Sequence, residues 1–98
     1  MGEAWPVKVR YTRRAFRQMN EILDYIEDHS PQGARHVMQR LQAAVDLVAA
    51  HPESGPLIGK GELRRVVVTP YPYLIFYRAT VDEIVIHGVR HAARCPRR

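Results

Sequence analysis

The stretch Leu63–His91, LRRVVVTPYPYLIFYRATVDEIVIHGVRH, decides how this chain is read. LRRVVVT and YLIFYR are dense in β-branched and aromatic residues and predict strands over 63–69 and 73–78; EIVIHGV predicts a third over 83–89. Pro70-Tyr71-Pro72 separates the first two, because a proline has no N–H to give to a sheet ladder. Ala79-Thr80-Val81-Asp82 is short enough to join the next pair as an antiparallel hairpin. The three strands therefore form a meander. Their side chains do not alternate as those of a half-exposed sheet should. Leu74, Ile75, Phe76 and Tyr77 offer bulk to both faces, as do Val66, Val67 and Val68, which is the pattern of a sheet covered on both sides.

Upstream, Val7, Val9 and Tyr11 alternate with Lys8 and Arg10, predicting a strand over 7–11. Thr12 is placed to cap a helix over 13–29, with Ala15, Phe16, Met19, Ile22, Leu23 and Ile26 as its apolar stripe. Ser30-Pro31 stops that helix and starts another over 31–50, since proline at the first helical position gives up an N–H that has no partner anyway. The second stripe is Ala34, Val37, Met38, Leu41, Ala44, Val45 and Val48. Two helices with almost no linker fold back on each other. The expected class is α+β, in the order β-α-α-β-β-β, with the helical hairpin on one face of a small, mainly antiparallel sheet. Two readings fit the other face. Either the Trp5 segment and the C-terminal tail shield it, or another molecule covers it.

Ninety-eight residues make one domain, and a composition nearly half hydrophobic excludes intrinsic disorder. No apolar run approaches the ~18–20 residues of a membrane span, and MGEAWPVKV lacks the features of a signal peptide. The lone Cys95 fits a reducing compartment, so a cytoplasmic location is expected. The net charge of +5 favours acidic partners, nucleic acid or protein. Arg13, Arg14 and Arg17 sit at the start of the first helix, against the macrodipole, either as a solvated face or as a contact patch. Arg64, Arg65, Arg78, Arg90 and Arg94, with Lys60, lie in or beside the meander, where they could grip phosphates or solvate strand ends.

No metal site is expected. His87 and His91, read as sharing strand parity, would stand ~13 Å apart, and no Cys or His pair has zinc spacing. No phosphate-binding glycine loop, serine nucleophile motif or cofactor signature is present. A catalytic reading takes one of these histidines as general acid or base, with Arg78 or Arg94 on a phosphate and a tyrosine such as Tyr77 nearby.

Taken in order, several segments resemble the ParE branch of the RelE/ParE toxin superfamily. They are Val9–Tyr11 with Ala15; Ile22 and Tyr25-Ile26; Leu47 and Pro52 to Gly55; Leu63-Arg64-Arg65; Pro72 to Arg78; and Val89-Arg90-His91 through Arg94 with Pro96. The resemblance implies a growth-inhibiting toxin of a type II, plasmid-stabilisation-type toxin–antitoxin pair, held in check by a small ParD-like antitoxin. It further implies a target. ParE-like members inhibit DNA gyrase without being enzymes, whereas RelE-like members cut messenger RNA on the ribosome, the alternative for which His91, Arg78, Arg94 and Tyr77 are the candidates. Antitoxin contact is expected at Leu74, Phe76, Tyr73, Arg65 and Arg78, and target contact at Arg64, Arg90, His91 and Arg94.

Overall fold

Residues 8–59 and 61–92 are described by a computed structural model. A first strand, β1 (Lys8–Tyr11), leads into two helices, α1 (Arg13–His29) and α2 (Pro31–Ala50). Three strands follow: β2 (Leu63–Val68), β3 (Tyr73–Ala79) and β4 (Glu83–His91). Val7, the Trp5 segment, Lys60, Arg94 and Cys95 lie outside the described residues.

The helices begin where short polar side chains satisfy their first N–H groups. Thr12 Oγ1 accepts a hydrogen bond from the Ala15 N–H at 3.1 Å, and Ser30 Oγ accepts one from the Gly33 N–H at 3.0 Å. Ser30 also closes the first helix, its own N–H donating to the Ile26 carbonyl at 2.7 Å. One residue thus ends α1 and starts α2, which folds the pair into an antiparallel hairpin.

The sheet is mixed, in the order β1-β4-β3-β2. β2, β3 and β4 form the antiparallel meander, while β1 lies parallel to β4, with Lys8 opposite Glu83 and Tyr11 opposite Ile86. The Thr12 N–H extends this parallel ladder by donating to the Ile86 carbonyl at 3.0 Å. The strand ends depart slightly from the sequence pattern. β2 stops at Val68, because the Tyr71 N–H turns back to the Val68 carbonyl. β4 runs on to His91, because Leu74 and Tyr73 find partners in Arg90 and His91.

One core lies between the hairpin and one sheet face. Val37, Leu41, Val45 and Val48 of α2 meet Val68, Ile75, Tyr77, Ile84, Ile86 and Val89, with Ala15 of α1 fully enclosed. Phe16 and Met38, expected on the apolar stripes, are instead 56% and 45% exposed. The buried line on α1 follows Ala15, Met19, Ile22 and Ile26, and a residue next to that line turns about 100° away from it.

The loop between α2 and β2 is tied down by one side chain. The Tyr77 hydroxyl donates to the Pro52 carbonyl at 2.9 Å and accepts from the Gly55 N–H at 3.0 Å. Gly55 is required there, since a Cβ would stand 2.5 Å from the Arg65 carbonyl oxygen and 2.9 Å from that same hydroxyl. Drawn in this way, the loop covers part of the free edge of β2. Arg65 N–H donates to the Pro56 carbonyl, and Ile58 N–H to the Leu63 carbonyl. Replacing Tyr77 with Phe leaves a buried donor and acceptor without their partner. It should lower the unfolding free energy by about 1–3 kcal/mol in urea titrations, with the helical circular dichroism unchanged.

Candidate functional site

The sheet face away from the helices carries a different set of side chains. Strand register places Leu63 beside Arg78, Arg65 beside Phe76, and Val67 beside Leu74. On the next strand Leu74 meets Arg90, Phe76 meets Gly88, and Arg78 meets Val85. Val67 is 50% exposed, and Leu74 and Phe76 are half-buried, against 1% for Val68 and Ile75 on the core side. Val85 is the exception on this face, being buried although it stands outside the core cluster. No described helix or strand packs over this face.

A bulge shapes its centre. The register passes from Phe76 opposite Gly88 to Tyr77 opposite Ile86, which leaves His87 without a partner on β3. At the same level α1 reaches the sheet margin. β1 has ended, and the Val89 N–H of β4 donates to Gln18 Oε1 at 3.0 Å. Helix and bulge together enclose a hollow of about 550 Å³ bordered by Arg14, Phe76, Arg78, His87 and Arg90. The Arg90 guanidinium lies over the Phe76 ring, 5.7 Å from its centroid. Burial holds the His87 imidazole below its usual pKa, and the charges of Arg78 and Arg10 push it the same way. Arg10 itself is joined to Glu83 through two contacts, of 3.0 and 3.3 Å, an exposed pair that tacks β1 to β4 and holds the Glu83 carboxyl below its usual range.

The residues named from sequence divide between the two faces. Leu74, Phe76, Arg65 and Arg78 share the outer face. Tyr73 does not: it stands on the helix side, edge-on to His91 with ring centroids 5.3 Å apart. These two rings, with Ile22 and Tyr25 of α1, line a second hollow of about 640 Å³ that shares Arg14, Gln18 and Arg90 with the first. Arg64 is engaged with the loop, its Nη1 donating to the Gly55 carbonyl at 2.7 Å. Arg90 lies in the outer hollow, and Arg94 falls outside the described residues.

The set proposed for RNA cleavage does not converge. Tyr77 is fully buried on the core side, with its hydroxyl committed to Pro52 and Gly55. His91 pairs with Tyr73 at one end of β3, whereas Arg78 is five residues along the strand, ~17 Å away at strand rise. The shared parity of His87 and His91 also fails, because the bulge at His87 shifts the alternation by one. Sequence reasoning missed His87, Arg14 and Gln18 as neighbours of Phe76. The available signal was Gly88, since a glycine inside a strand marks a bulge or a close approach. Among the described residues, no group of three or more His, Cys, Asp or Glu is placed to hold a metal ion, and no helix is long and apolar enough to cross a membrane.

A family model described as the ParE toxin of the type II toxin–antitoxin system parDE matches residues 9–96. The chain belongs to the ParE toxin family. It is a type II toxin–antitoxin system toxin of the ParE/RelE superfamily. The toxin RelE2 of Caulobacter vibrioides is 40% identical to this ParE-family chain over 87 residues, which cover 89% of this chain and 97% of that one. Among solved structures, the chromosomal ParDE system from P. aeruginosa superimposes with a TM-score of 0.74 at 20% identity, over 88% of this chain and 96% of that one. The E. coli DinJ–YafQ toxin–antitoxin complex does so with a TM-score of 0.67 at 16% identity, over 94% of this chain and all of that one. At such identities the likeness is one of fold. It matches the β-α-α-β-β-β order and the helical hairpin on a four-stranded sheet.

The electrostatics of this ParE-family fold make His87 acid-sensitive. Because its folded pKa lies below the unfolded value near 6.5, the stability it contributes is complete above that value and is lost as pH falls through the folded pKa. Melting temperatures measured from pH 8 to pH 5 should therefore decline less steeply for His87→Gln than for the wild type.

Proposed function

We propose that this toxin acts by binding, with DNA gyrase as its target, and that a ParD-like antitoxin neutralises it by covering the outer sheet face. One observation carries the non-enzymatic reading: the scatter of the acid–base candidates. Cleavage by a 2′-OH requires a base at the hydroxyl, a cation at the phosphorane and an acid at the leaving oxygen, all within hydrogen-bond reach of one phosphate. Tyr77 in the core, Arg78 at one end of β3 and His91 at the other cannot meet that demand together.

The antitoxin reading draws on the outer face itself. Val67 is half-exposed, Leu74 and Phe76 are only partly buried, and Arg65 and Arg78 stand among them. An acidic, apolar tail that is disordered when free would bury the first group and pair with the second. The solved relatives are toxin–antitoxin systems, which supports the same partner. Either target would place the toxin in the cytoplasm.

A second reading keeps some ground, because His87 and Arg78 do share a hollow. An imidazole biased toward its neutral form beside a guanidinium is a usable base next to a phosphate-binding group. Parallel assays separate the two. Purified toxin should block supercoiling by gyrase while leaving messenger RNA intact on programmed ribosomes, and added antitoxin should restore supercoiling. Cuts in the ribosomal A site that disappear on His87→Ala, with supercoiling unaffected, would replace gyrase binding with ribosome-dependent RNA cleavage.

A further inference from the structure

The outer hollow has a composition that its place beside an antitoxin surface does not require. Three guanidiniums, from Arg14, Arg78 and Arg90, line it with the His87 imidazole, and no carboxylate lines it among the described residues. Its aromatic member is the half-buried Phe76, with Arg90 laid over the ring. Arg14, at the rim, is exposed. It occupies the first turn of α1, which has no acidic residue, where the helix dipole disfavours a cation. The positive crowding is felt inside the hollow, since Arg78 is one of the charges that bias His87 against protonation.

We propose that this hollow binds single-stranded nucleic acid, with Arg14 and Arg78 on backbone phosphates and an unstacked base on the Phe76–Arg90 platform. Guanidinium forks match phosphate oxygens two at a time, and bases stack on aromatic rings and on arginine planes alike. An acidic peptide would satisfy the charges but has no need of a flat π surface between them. Duplex would present its phosphates and keep its bases stacked inward, away from Phe76. Single-stranded DNA and RNA offer the same phosphate and base chemistry, and no feature of the hollow selects for the 2′-OH. The inference stands independently of which cellular enzyme the toxin arrests. It also implies that an antitoxin lying across this face closes the hollow.

The test is fluorescence anisotropy of the full chain with labelled 12-mers of one sequence, as single-stranded DNA, single-stranded RNA and duplex DNA. Binding of either single strand more tightly than duplex supports the site, and the tighter of the two names its source. Phe76→Ala should weaken that binding by roughly five- to a hundred-fold, the usual size of a base–aromatic contact. Arg78→Gln should weaken it and should flatten the dependence of log K on log salt by about 0.7, one phosphate's share on a single strand. Arg78 is exposed, so this variant should fold even if Phe76→Ala does not.

Equal affinity for duplex or full binding by Arg78→Gln would each overturn the proposal. The gyrase reading is tested apart from it. Wild-type toxin that blocks supercoiling but binds neither single strand more tightly than duplex contradicts only the nucleic-acid site, whereas wild-type toxin that binds the strand but leaves supercoiling untouched contradicts only the gyrase target.

Discussion

A hairpin of two helices is one layer thick, and one layer can bury one face of a sheet. This constraint organises the molecule. Ile75, Tyr77, Ile84, Ile86 and Val89 point toward α1 and α2 and are sealed there. On the other side of the same strands, Val67 is half-exposed and Leu74 and Phe76 are only partly buried. At roughly 25 cal/mol per Å², covering apolar surface of this kind is a substantial source of association energy. Arginines stand around it, a charge pattern that suits an anionic partner of the kind proposed above.

The outer face owes its shape to two local events. The bulge at His87 turns β4 so that the imidazole faces Phe76 and Arg78. α1 then closes the margin, because Gln18 supplies the hydrogen bond that β1 is too short to give Val89. Together they turn a flat sheet into a recess and bring Arg14 across from Arg90. A cation in the first turn of a helix is unfavourable alone, and it becomes useful where the ligand is negative. On the core face, by contrast, the buried Tyr77 hydroxyl anchors the α2–β2 loop.

Much of this architecture was legible in the residues, because local chemistry and global packing agree. Thr12 and Ser30 are caps by composition, and Pro31 leaves α2 only one place to begin. Leu74, Phe76 and Arg78 share a face by simple alternation, whereas Tyr73, expected beside them, has the opposite parity and lies on the helix side. Alternation then failed at two points. The bulge moved His87 out of step with His91, and only Gly88 hinted at it. Tyr77 was read as an available tyrosine, although its parity with Ile75 assigned it to the core. Arg14 and Gln18 belong to a helix distant in sequence from β3, and nothing in a linear pattern shows which flank of the sheet that helix will meet.

A partner surface on the outer face requires that the two sides of the sheet differ in their access to solvent. Methyl NMR of the free toxin with a soluble gadolinium chelate measures this residue by residue. The methyls of Val67 and Leu74 should relax strongly, while those of their strand neighbours Val68 and Ile75 should be shielded, in line with exposures of 50% for Val67 and 1% for both Val68 and Ile75. Shielding of Val67 and Leu74 to the level of Val68 and Ile75 would mean that the chain covers both faces by itself, and the outer sheet would then offer no surface for a partner.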